Sequence, residues 1–173
     1  MADRERTIVP LDEAHEVLAA FRIDPNSREC ERWRRDDGFR QIDFEDVLTK
    51  SGSVLGVDWR DCLYDPVEIV LRQLHDLGIA ATADLGKEED QGIIRVDGRS
   101  AWIKFVAGEE DDFDDVIAAV NGLIRPRAQY RRFRSSEGSD GWWYAVLSNE
   151  DWQALEAAAD RTVRLLFSGI GVG

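Results

Sequence analysis

Apolar residues first recur at helical spacing: Leu11, Ala14, Leu18 and Phe21 fall on one face, and Pro25 stops the run. Residues 24–41 (DPNSRECERWRRDDGFRQ) mix charges of both signs without a clear period, which predicts an irregular exposed stretch with room for one short helix. A second short helix is predicted from Asp43 to Lys50, closed by Ser51-Gly52. The following SVLGVDWRDCLY reads equally as strand or loop. A stronger helix opens at Asp65-Pro66, with Asp as the expected N-cap and Pro at the first helical position. Val67, Val70, Leu71, Leu74 and Leu77 form its stripe, and Gly78 stands where a left-handed residue ends a helix.

The pattern then switches from helical period to alternation. Residues 79–84 (IAATAD) and 92–97 (GIIRVD) read as strands, and Asp97-Gly98 folds the second onto 99–107 (RSAWIKFVA) as a hairpin. Another helix buries Phe113, Val116, Ile117, Val120 and Ile124 and ends before Pro126. Strands 127–134 (RAQYRRFR) and 142–147 (WWYAVL) follow, joined by SSEGSDG. Ser148, with Asp151 three residues on, begins a terminal helix. Trp152, Leu155, Ala159, Val163, Leu166 and Phe167 keep its period to about residue 167, where Ser168-Gly169 ends it.

The order β-β-β-α-β-β-α predicts an α+β fold, an antiparallel sheet of about five strands with helices packed on it. Residues 65–168 carry this core, and residues 1–64, mostly helical or irregular, are expected to cover it. No repeat, low-complexity tract or linker interrupts the sequence, so residues 1–173 are expected to form a single domain.

Composition agrees with a packed core. Hydrophobic residues make up 43% of the chain and charged ones 33%, and several of the six tryptophans are expected to anchor the interior. The net charge of −13 narrows the partners. It repels phosphate backbones and anionic lipid, which argues against nucleic-acid and membrane binding, and it steers basic partners inward. An acidic surface also serves solubility alone. Cys30 and Cys62 form no CxxC or Cys/His spacing, which suits a reducing compartment and provides no zinc site. The N-terminal MADRERTIVPLDEA is charged and has no apolar core of a signal peptide, and no apolar run is long enough to span a bilayer. The expected location is the cytoplasm.

Two short motifs invite a catalytic or cofactor reading. Residues 12–15 spell Asp-Glu-Ala-His, a tetrapeptide that organises magnesium in a class of helicases, but no GxxxxGK[ST] accompanies it and its acids suit the first turn of a helix. The tail Gly169-Ile170-Gly171-Val172-Gly173 lacks the following helix that a dinucleotide-binding turn requires. His15 and His75 have no Ser, Cys or Asp at triad spacing, and neither GxSxG nor HExxH occurs. No catalytic residue, cofactor or metal is therefore assigned.

Charge clusters carry the remaining signal. Glu109, Glu110, Asp111, Asp112, Asp114 and Asp115 surround Phe113 at a helix start, and they lack the Asp/Asn-plus-Gly pattern of a calcium loop. The helix dipole accounts for two or three of them, and the excess points to a contact with a basic partner. Glu88, Glu89 and Asp90 make a second cluster beside the hairpin. Opposed to both is the strand bearing Arg125, Arg127, Arg131, Arg132 and Arg134 with Tyr130 and Phe133 interleaved. That pattern can stack and neutralise single-stranded nucleic acid, and it can equally pair with the neighbouring acidic helix or protect a sheet edge. Trp142-Trp143 sends one ring to each face of its strand, one into the core and one to an interface.

In size, acidity and absence of a signal peptide, the chain resembles in type the immunity proteins that neutralise bacterial toxins. The resemblance is one of size and charge and covers no definable set of residues. It implies a cytoplasmic inhibitor whose acids 88–90 and 109–115 face a basic protein surface, with Trp142 or Trp143 as anchor. The alternatives are a small-ligand or enzymatic site assembled from Arg131, Arg132, Asp140, His75 or Tyr144, and a nucleic-acid mimic with acids at phosphate-like intervals.

Overall fold

A computed structural model describes residues 7–87, 90–106, 113–137 and 140–170, and these form nine strands and six helices. The N-terminal part contributes β1 (Ile8–Val9), α1 (Leu11–Ala20), α2 (Arg28–Trp33), β2 (Phe39–Arg40), α3 (Gln41–Leu48) and β3 (Val54–Asp58). Next come α4 (Tyr64–Asp76), β4 (Ala81–Leu85), β5 (Gln91–Val96), β6 (Arg99–Lys104) and α5 (Asp114–Ile124). The chain continues with β7 (Ala128–Phe133), a 3₁₀ turn (Arg134–Ser136), β8 (Gly141–Ser148), α6 (Asn149–Leu166) and β9 (Phe167–Gly169). The fold is mixed α+β with antiparallel pairing throughout.

The strands divide between sheets, where the sequence suggested one. β4-β5-β6 form a three-stranded meander, and β3-β8-β7-β9 form a four-stranded sheet. The ambiguous stretch after Ser53 supplies β3, which pairs with β8 in the register Val54↔Ala145 to Asp58↔Gly141. Residues before position 65 therefore enter the sheet as well as cover it. β8 is apolar on both faces because both are packed. Trp142, Tyr144 and Val146 join a core with α4, α5 and the meander, whereas Ala145 and Leu147 join a second core with α1, α3 and α6. α4 touches β3 and β4, and α5 touches β5, β6 and β7, so these helices tie the two sheets together.

Local chemistry explains most boundaries. Asp97 and Gly98 both take positive φ, 50° and 76°, as a two-residue hairpin requires. Gly78 ends α4 at φ 71°. α4 starts at Tyr64 with Leu63 in the N-cap position, a residue or two before the expected Asp65 cap. Pro66 then lies in the first turn, where its missing N–H costs nothing. Ser148 caps α6 through the Asp151 N–H at 3.0 Å, as its spacing predicts. Within α6, Ala159 departs from helical geometry (φ −143°, ψ 42°), so the helix is kinked, a departure from the single straight run expected. The Glu13 carboxylate accepts the Thr162 N–H at 2.9 Å just beyond that kink. Glu13 of the Asp-Glu-Ala-His tetrapeptide is thus a helix cap, while Asp12 and His15 are exposed.

One buried polar network joins the layers. Asn121 of α5 accepts the Tyr130 N–H at 2.8 Å and donates to the Tyr130 carbonyl at 3.0 Å. β9 pairs with β7 only from Arg131 onward, so the Asn121 amide takes the place of a strand at Tyr130. The Tyr130 hydroxyl donates to Gln73 Oε1, and Gln73 Nε2 donates to the Gly52 carbonyl. Complete burial pushes the Tyr130 phenol well above its ordinary range.

Candidate functional site

Antiparallel pairing brings several loops to one end of the molecule. Asp58 at the exit of β3 faces Gly141 at the entry of β8, and the Trp59 N–H donates to the Asp140 carbonyl at 3.1 Å. Beyond β6, the Phe105 N–H donates to the Asp90 carbonyl at 2.8 Å, and its ring meets Phe113 at 5.1 Å and Trp142 at 5.8 Å. Glu88, Glu89, Glu109, Glu110, Asp111 and Asp112 lie outside the described residues. Their described neighbours, Asp90 and Phe113, both meet Phe105. Strand order, which the sequence left open, therefore brings the flanks of the two acidic runs together.

Other predicted site residues divide between inward and outward roles. Asp114 turns inward, accepting from Arg132 Nη1 at 2.6 Å and from the Tyr144 hydroxyl at 2.8 Å. Asp115 is exposed on the first turn of α5. Asp90 is partly buried, and its Oδ1 has no hydrogen-bond partner among the described residues. Trp142 belongs to the core, whereas Trp143 is 39% exposed. The two rings take opposite faces of β8, Trp142 inward and Trp143 outward.

The arginine-rich strand is engaged inside the fold. Arg131 pairs with Glu156 and covers the Trp152 ring at 4.2 Å. Arg132 pairs with Asp114, Arg127 with Asp97, and Arg134 donates to the carbonyls of Arg164 and Phe167. Tyr130 and Phe133 are buried, so the alternation of arginine and aromatic does not form a stacking platform. Of the scattered ligand-site candidates, only two come together. Arg132 and Tyr144 meet on Asp114, whereas Arg131 turns to Glu156, His75 lies exposed in the last turn of α4, and the Asp140 carbonyl accepts the Trp59 N–H.

Sequence reasoning missed Trp59 and Tyr64, which are 40% and 45% exposed at this acidic end. Their signal was present: two aromatics among acids, in a segment with no strand or helix period. Asp58 receives the Arg60 side chain through Nε and Nη2, both at 2.9 Å, and the Arg60 N–H at 3.0 Å. These bonds to the charged form hold the Asp58 carboxyl down at about 2. Arg60 is raised by the same partner, with smaller contributions from Asp61 and Asp140. Among the described residues, no three His, Cys, Asp or Glu side chains are grouped to hold a metal ion, and no helix is long and apolar enough to cross a membrane.

No family model, curated protein or solved structure matches the chain.

Proposed function

We propose that the chain is a non-enzymatic cytoplasmic binding protein that places its acidic end on a basic surface of another protein, in the manner of an immunity protein inhibiting a toxin. One observation carries this reading: the described flanks of both acidic runs share one end of the molecule with exposed Trp59, Tyr64 and Asp140. Carboxylates in that number speed encounter with a cationic partner, and half-exposed aromatics supply the area that is desolvated on docking. A small-ligand site would need convergent polar groups in a cleft, whereas Arg131 is taken up by Glu156 and Arg132 and Tyr144 by Asp114.

Affinity capture from the native cells tests the proposal. The tagged chain is compared with a variant in which Glu88, Glu89 and Glu109 to Asp112 are replaced by Gln or Asn. The expected result is a basic protein retained by the first, lost from the second, and released as salt rises from about 50 to about 500 mM. Equal retention by both forms, or an acidic partner, refutes it.

A further inference from the structure

We infer that the cleft where α1, α3 and α4 end binds a small zwitterion, an α-amino acid with an apolar side chain. The inference goes beyond the protein-binding role and does not rest on it. The cleft measures about 240 Å³ and lies at the Val54↔Ala145 end of the β3–β8 ladder, opposite the Asp58↔Gly141 pair at the acidic end. Small-molecule sites usually occupy roughly 300–1,000 Å³, and this smaller volume suits a ligand of amino-acid size.

Helix ends supply the rim. Arg22 follows α1, Lys50 follows α3, Asp76 closes α4, and Asp151 lies in the first turn of α6, all four exposed along the cleft. Buried Phe21, Val146 and Leu147 provide apolar wall. Buried Gln73 adds a polar group fixed at both ends: its Nε2 donates to the Gly52 carbonyl at 2.9 Å, and its Oε1 accepts the Tyr130 hydroxyl at 2.8 Å. The Ser51 hydroxyl is held likewise, donating to the Phe21 carbonyl at 2.9 Å and accepting the Ser53 N–H at 3.1 Å. Such bonds set the lining in place before a ligand arrives.

Arg22 makes the cleft more than a gap between helices. The Ile23 N–H donates to the Leu18 carbonyl at 2.9 Å and the Arg22 N–H to the Ala19 carbonyl at 3.0 Å, which closes α1 with Arg22 in the left-handed region at φ 55°. Glycine is favoured at such a position, and Gly78 fills it after α4 at φ 71°. The turn itself needs no side chain there, and an arginine is strained in it. What the strain secures is a guanidinium at the mouth of the cleft.

Charge of both signs narrows the ligand. The Arg22 guanidinium offers a planar fork to the two oxygens of a carboxylate, and the Lys50 ammonium adds a second positive charge. Asp151 is engaged at the α6 cap by the Ser148 hydroxyl at 2.7 Å. Asp76 stands at the C-terminus of α4, where the partial negative charge of the helix adds to its own and favours an ammonium. The His75 Nδ1 is 3.7 Å from Asp76, beyond a hydrogen bond. A ligand with carboxylate and ammonium on one carbon, and a short apolar tail, satisfies the rim and the wall together.

Titration of the isotope-labelled full chain with L-leucine tests this by NMR, with the Gly52 backbone N–H and the Gln73 side-chain amide as reporters. Isocaproate, which lacks the ammonium, and isoamylamine, which lacks the carboxylate, are the comparators. Saturable movement is expected with a dissociation constant on the order of 1 mM for leucine, and with roughly tenfold weaker binding for each comparator. Arg22→Gly separates the site from the scaffold. It removes the strained residue, so its urea midpoint should rise, while leucine binding weakens by about tenfold. Asp76→Asn should weaken leucine by about threefold and leave isocaproate unchanged. No saturable movement up to about 50 mM leucine, or a comparator that binds as tightly, would overturn the inference. So would undiminished leucine affinity in Arg22→Gly, or a lowered midpoint, which would make Arg22 a support of the fold instead.

Discussion

Asn121→Ala removes both partners of the Tyr130 backbone in one step. The Asn121 side chain bonds the Tyr130 N–H at 2.8 Å and its carbonyl at 3.0 Å, and both residues are fully buried. A buried amide or carbonyl left unpaired costs about 1–3 kcal/mol. Two such groups, partly relieved by relaxation around the vacated volume, give an expected loss of about 2–5 kcal/mol. With a urea slope near 2 kcal/mol/M, the unfolding midpoint falls by roughly 1–2.5 M. Tyr130→Phe is the control within the same network, since it removes only the bond to Gln73 and should cost about 1–2 kcal/mol. Equilibrium urea unfolding by tryptophan fluorescence reads both variants. An Asn121→Ala midpoint within about 0.2 M of the parent, or a larger loss for Tyr130→Phe, would refute the view that this amide replaces a strand.

Neighbouring acids should separate stability from binding. Asp114→Asn weakens the contacts to Arg132 and Tyr144 and should cost about 1–3 kcal/mol in thermal or urea unfolding, whereas exposed Asp115→Lys should change stability by less than about 0.5 kcal/mol while weakening retention of a basic partner. Asp58 should titrate with a midpoint near 2 by carbon-detected NMR, and Arg60→Ala should return it toward the ordinary 3.8. Because folding depresses this carboxyl, its stabilising effect is present above pH 3.8 and fades as pH falls toward about 2; a destabilisation centred above pH 5 would have another source. Gly56 faces Trp143 across the β3–β8 pair, so Gly56→Ala drives a methyl into the indole and should cost about 1–3 kcal/mol while displacing its signal; an unchanged spectrum would contradict this close packing.

Features governed by neighbours in sequence were legible. Asp97-Gly98, Gly78 and the Ser148/Asp151 cap each specify their conformation within a few residues, and all were readable. Alternation along WWYAVL correctly separated Trp142 from Trp143. Features governed by remote partners were not legible. VLGVD becomes a strand because β8 offers it an edge, and Phe167–Gly169 becomes one because β7 does. Ala159 keeps helical periodicity across its kink, so no pattern of apolar positions reveals the break that Glu13 helps to accommodate. At the site, the acids were visible as composition, but the meeting of their described flanks, Asp90 and Phe113, on Phe105 depended on the strand order. The Arg22 cleft needed the ends of α1, α3 and α4 gathered beside β8, an arrangement that no local signal encodes.

The separation of the meander from the four-stranded sheet also sets an order of assembly. Each strand of the meander meets its neighbour across a short connection, so β4, β5 and β6 can pair as soon as they emerge during synthesis. β3 is separated from β8 by α4, the whole meander, α5 and β7. A nascent chain cannot shelter Leu55 and Val57 in their final pairing until Gly141–Ser148 has left the ribosome, and β9 follows later still. The acidic end is thus bounded by one sheet that closes locally and another that waits for nearly the entire chain.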